Sequence, residues 1–143
     1  MSDRSNDSTI NSQLAALADA LFKPGQISDF GWPEGDLKGA IQLCLDISIK
    51  PYCAIKDWTW WDLNCGKPLL ELINAQSLLP CVVKSNHVIE DEAKRFLGGN
   101  WMRSGLLVQF HHNAIFETRN TLYILVGPGT RKSVDLATVN QLF

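Results

Sequence analysis

Gly127-Pro128-Gly129-Thr130-Arg131-Lys132 is the stretch that comes nearest to a phosphate-binding loop. Such a loop places four residues between its glycines, then Lys and Ser or Thr leading into a helix, so that consecutive backbone amides cradle a phosphate. Here the glycines flank a single residue, Pro128, which has no amide to give. A tight turn followed by a solvated basic pair is the better reading. His111-His112 falls at a turn between two apolar runs; adjacent strand residues face opposite sides, so the pair is badly placed to chelate one ion. Asn86-His87 lies near Glu90, Asp91 and Glu92 without the spacing of a ligand set. Neither a metal nor any other cofactor is expected.

A nucleophile paired with a base is equally hard to find. Cys44, Cys53, Cys65 and Cys81 form no C-x-x-C and have no histidine at a zinc-finger offset. None has a cationic neighbourhood in sequence that would generate a thiolate. Ser85 and Ser104 lack the G-x-S-x-G elbow. The chain is therefore read as a binding protein and not as an enzyme.

Two surfaces stand out for binding. Trp58-Thr59-Trp60-Trp61-Asp62 places three tryptophans within four positions, flanked by Lys56, Asp57 and Asp62. Large rings with a charged rim suit a protein interface, and at least one of Trp58, Trp60 and Trp61 is expected to be exposed. The competing reading puts Trp58 or Trp61 on the edge of the core. Arg103, Arg119, Arg131 and Lys132 give residues 100–134 a surplus of three positive charges, with Glu117 the one acid there. They could bind an acidic partner or phosphate, or serve in a register-fixing ladder in which Arg103 faces Glu117.

These residues need a scaffold, and residues 100–134 are its clearest part: WMRSGLLVQF, AIFETR, TLYILVG and PGTRKSV read as consecutive strands folded back on one another. Leu106, Val108 and Phe110 share one face with Leu107 opposite. Leu122, Ile124 and Val126 likewise have Tyr123 and Leu125 behind them, so both faces of the sheet are covered. Cys81 to Ser85, extended by His87 to Ile89, reads as a further strand. Thr9 or Ser12 can cap a short helix bearing Leu14, Leu17, Ala18 and Leu21 before Lys23-Pro24-Gly25 stops it. Helical spacing predicts a second helix over 36–47, with Leu37, Ala40, Ile41, Cys44 and Leu45 buried, and a third over 69–77. A final helix begins after Asp135, packing Leu136, Val139 and Leu142-Phe143 on the sheet. For Tyr52 to Asn64 the pattern does not decide: Trp58 and Trp60 share a strand face, Trp58 and Trp61 a helix face. Trp32, in a turn-rich loop, is a packing anchor.

A chain of 143 residues with 45% hydrophobic and 20% charged residues fits one domain over residues 1–143, with 1–8 a polar tail. A net charge of −2 gives no global drive towards nucleic acid or anionic lipid. Neither a secretory signal nor an apolar run of membrane-spanning length is present, and free, mostly buried thiols suit a reducing cytoplasm.

Residues 99–143, with W-x-R-[ST] at Trp101, F-E-T-R-N-T-x-Y at Phe116 and G-x-G-x-R-K at Gly127, resemble a family of short uncharacterised proteins of tailed bacteriophages and prophages. The resemblance implies a phage or prophage origin and action in the cytoplasm of a bacterial host. Such accessory proteins bind and disable host proteins, defence systems included, as anti-CRISPR proteins do. The reading is thus an α+β fold: a small antiparallel sheet over about residues 81–134, with three or four helices from the N-terminal half and the C-terminus packed on it. The expected function is binding and modulation of a host protein complex. The alternative is a nucleic-acid-binding or regulatory module using the basic surface.

Overall fold

The computed structural model describes residues 11–19, 25–96 and 101–142. The expected tail at 1–8, the Thr9 cap, Leu21, Lys23-Pro24, Gly98-Gly99 and Phe143 lie outside them. Residues 11–19 form helix α1. Then follow β1 (Gln26–Ile27), α2 (Leu37–Ile47), β2 (Tyr52–Asn64), α3 (Lys67–Ala75), β3 (Cys81–Asp91), β4 (Met102–Arg103), β5 (Gln109–His111), β6 (Ile115–Glu117), β7 (Leu122–Leu125), β8 (Thr130–Asp135) and α4 (Leu136–Leu142).

The fold is α+β, but the sheet is neither small nor confined to 81–134. Among the described residues it has eight strands of mixed direction, and β2 is its spine. One edge of β2 pairs antiparallel with β3 over Cys53 to Asp62. Its other edge pairs in parallel with β7 over Tyr52 to Ile55 and with β8 over Thr59 to Asn64. β7 and β8 therefore run on in the same direction, and Gly127-Pro128-Gly129 is a kink between them where a chain reversal was expected. β2 is irregular at the same level, with Asp57 at φ 50°.

Sequence left Tyr52 to Asn64 undecided because a strand covered on both faces loses its alternation. Cys53, Ala54 and Ile55 are all fully buried. The break at Lys56-Asp57 then shifts the phase, which returns Trp58 to the side of Ile55.

The segment expected as one strand from Trp101 to Phe110 is instead two short strands. Its first part bonds to β3, through Ser104 N–H to the Val83 carbonyl and Leu107 N–H to that of Cys81. Its second part turns to β6, through Val108 N–H to the Glu117 carbonyl. The segment thus spans from the outer edge of β3 to that of β6 and curls the sheet closed. Inside lie Trp58, Trp60, Val83, Val88, Met102, Leu107, Phe116 and Leu125, with Phe30 stacked on Trp58 at 5.4 Å. α2 covers one outer face through Ala40 and Cys44, against Ala54, Ile115, Leu122 and Ile124. Leu45, expected in that stripe, is 61% exposed, because the face that α2 turns to the sheet is Leu37, Ala40, Ile41, Leu43, Cys44 and Ile47. α4 covers the other outer face, with Val139 on Trp61, Leu63 and Val82. Trp32 packs at the kink, where its backbone bridges Leu125 and Gly127 at 2.7 Å on either side.

Candidate functional site

The three clustered tryptophans are core residues. Trp58, Trp60 and Trp61 are exposed by only 1%, 4% and 0%, so the expectation of an exposed ring there fails. The physical reason is β2's central place: Trp58 and Trp60 point into the curled sheet, and Trp61 points out beneath α4.

The four cations do not form one patch. Arg131 makes a two-point ion pair with Asp62, at 2.7 and 2.9 Å, and lies 4.8 Å from the Trp60 ring. Burial alone would raise the pKa of Asp62, but the Arg131 bonds and charge outweigh it and the net shift is downward. Lys132 donates to the Asp19 carbonyl of α1 at 2.5 Å. Arg103 does not face Glu117; its cross-strand neighbour is Lys84. Glu117 instead accepts from Lys50 at 2.6 Å and meets His111 Nε2 at 2.7 Å.

Arg119 opens onto a concavity of about 290 Å³, lined by Leu78, Arg95, Gly105, Leu106, Thr118, Asn120, Thr121 and Tyr123, whereas Arg131 and Lys132 line a separate one beside Asp62, the carboxylate that Arg131 already pairs with. The turn that carries it, Thr118 to Thr121, is closed by Thr118 N–H to the Thr121 carbonyl at 2.9 Å. The Thr118 hydroxyl donates to the same carbonyl and accepts from Thr121 N–H at 3.2 Å. Threonines that satisfy their own turn leave Arg119 and Asn120 to project outwards. The Arg119 guanidinium donates to Gln76 Oε1 at 2.9 Å, which ties the turn to the end of α3.

Arg95 forms the second cationic wall. The buried Asp91 carboxylate accepts from the backbone amides of Ala93, Arg95 and Phe96 and from the Arg95 guanidinium at 3.2 Å. Burial would raise the pKa of Asp91, yet these donors hold it below the usual carboxylate range. Arg95 also donates to Thr121 Oγ1 at 2.7 Å. With two guanidiniums against one carboxylate, the cleft carries surplus positive charge. Its groups suit recognition of a carboxylate or phosphate. Gln76, Arg95 and Thr118 were not picked out as site residues from sequence, Asp91 was weighed only as a metal ligand, and Thr121 only as a member of a polar ladder with Arg103, Glu117, Arg119 and Tyr123. The i, i+4 spacing of Asp91 and Arg95 and the T-R-N-T run were the signals available.

Three of the four thiols are poor nucleophiles. Burial pushes Cys44 and Cys53 up to about 12, and burial with the Asp62 charge pushes Cys81 up to about 11. Among the described residues no three His, Cys, Asp or Glu side chains gather as a metal site, and no helix is long and apolar enough to cross a membrane.

Fold and cleft together define an α+β domain: a curled mixed sheet around an aromatic core, with an arginine-walled concavity at one turn. The chain belongs to the family described as domain of unknown function DUF6957, whose model matches residues 31–141. That span holds β2 to β8 and every residue of the cleft. No curated protein and no solved structure gives a significant match.

Proposed function

We propose that this is a non-enzymatic accessory protein of phage type that binds and modulates a host protein complex, such as a defence system, by seating an acidic group of the partner in the Arg119 cleft. The observation that carries the reading is the setting of Arg119. Its guanidinium is held at the mouth of a concavity by Gln76, and Leu72, one turn earlier on α3, is 60% exposed. Arginine beside exposed apolar area is the composition of binding hot spots, and the cleft's surplus charge selects an acidic group. The likeness of residues 99–143 to short phage proteins supports the origin and the kind of partner.

The test is affinity capture from a bacterial host lysate with the wild type, Arg119→Glu and Leu72→Glu, all matched for melting temperature. The reading expects a partner retained by the wild type, released by raised salt and lost with Arg119→Glu. Equal recovery of every captured protein by all three would overturn it.

A further inference from the structure

The strand register assembles a row of side chains that sequence does not show. Arg103 on β4 pairs with Lys84 on β3, Lys84 with Thr59 on β2, and Thr59 with Thr130 on β8. Cross-strand partners project from the same face. The row therefore holds two cations and two hydroxyls from four strands, with no carboxylate among them. Adjacent strands lie about 4.8 Å apart, so it spans about 14 Å. The Thr59 and Thr130 hydroxyls bond to each other at 3.0 Å, and Lys84 Nζ stands 5.7 Å from the buried Trp61 ring. Two basic residues directly opposite each other concentrate positive charge on this face, the sign that a phosphodiester backbone needs.

A second, independent feature borders the row. Trp101 is 58% exposed, Met102 is buried at 1%, and Arg103 is exposed again. That alternation puts Trp101 and Arg103 on the same side of the chain. A tryptophan so open to solvent is unusual, since its large ring is normally mostly buried. The other rings considered for binding, Trp58, Trp60 and Trp61, are spent in the core.

From this juxtaposition we infer that the outer face at Trp101, Arg103, Lys84, Thr59 and Thr130 is a platform for single-stranded polynucleotide. Arg103 and Lys84 take the phosphodiester backbone, the threonine hydroxyls add donors, and a base stacks on Trp101. An aromatic ring beside a basic track on a sheet face is how single strands are held without a groove to read. Duplex does not fit, because its bases are not free to stack. The inference stands apart from the Arg119 cleft and uses none of its residues.

The test is fluorescence anisotropy with labelled single-stranded DNA, single-stranded RNA and duplex DNA across a salt series. Two neutralised phosphates give a slope of log K against log salt of about −1.4 on single strands. Lys84→Gln or Arg103→Gln should each halve that slope. Trp101→Ala should weaken binding by about tenfold to a hundredfold, and Trp101→Phe should recover most of it. Trp101 and Arg103 are exposed, so these variants should melt as the wild type does. Lys38→Gln, on α2 and away from the row, should bind unchanged. Affinity for either single strand with this variant pattern supports the platform, and the DNA-to-RNA ratio then reports whether the 2′-hydroxyl is read. No binding of either strand at low salt would overturn it. So would equal binding of duplex, or binding untouched by Trp101→Ala and Lys84→Gln.

Discussion

The indole of Trp58 occupies the space in which a side chain at Gly129 would begin, and its Nε1–H donates to the Gly127 carbonyl at 3.2 Å. One ring on β2 thereby fixes the kink that divides β7 from β8. Gly129→Ala should cost about 1–3 kcal/mol, because the added methyl must displace a buried ring. Gly35→Ala, where nothing lies within 4 Å of the added carbon, is the control and should stay within about 0.5 kcal/mol. Urea midpoints measure both, and equal midpoints for the two variants would break the link between kink and ring.

Sequence revealed elements better than their partners. The period of α2 and the start of α4 after Asp135 are local signals, and both appear in the fold, whereas α3 runs over Lys67–Ala75 and not over 69–77. The pairing of β2 with β7 and β8 joins residues some 70 positions apart and leaves no mark on spacing. Gly127-Pro128-Gly129 carries turn chemistry, yet whether a turn reverses the chain or kinks it depends on the edge of β2 beside it. The same holds for the sites. Arg103 was legible as a cation, whereas its neighbour Lys84 follows only from register. Arg119 was legible, but Gln76 and Arg95 reach it through tertiary packing. The tryptophan cluster misled because burial is set by β2's central position and not by its charged neighbours.

Truncating the clustered rings should act on stability and not on binding. Trp58→Ala and Trp61→Ala each remove a fully buried ring and should cost about 3–5 kcal/mol. Partner capture should then fall only with the folded fraction. An unchanged melting temperature together with lost capture would return these rings to a surface.

The thiols should differ in reactivity by position. At about pH 8 it is the thiolate that attacks a disulfide reagent and expels its other half as a thiolate, and burial holds Cys44 and Cys53 up at about 12 and Cys81 at about 11. Cys65, half-buried, should react first in the folded protein and the other three only on unfolding. Mass spectrometry of partly labelled protein checks the order; early labelling of Cys53 would mean that the core opens locally.

Lys50 connects the loop after α2 to the base of the Arg119 turn, donating to Glu117 at 2.6 Å and to the Thr118 carbonyl at 2.9 Å. Burial alone would raise the pKa of Glu117, but hydrogen bonds from Lys50 and His111 outweigh it and hold the carboxyl below its usual range. A carboxyl lowered on folding adds stability that is fully present above its unfolded pKa of about 4.3 and is lost as pH falls through the lower folded value. Glu117→Gln keeps the volume and removes the charge, so it should cost about 1–3 kcal/mol near neutrality. The gap between wild type and variant should close in acid. The charge also anchors the turn, so the variant should loosen Arg119 and weaken partner capture more than its folded fraction explains. Urea denaturation across a pH series, set beside capture at one pH, measures both effects. A gap that stays constant or widens in acid would show that the Glu117 charge does not stabilise the fold.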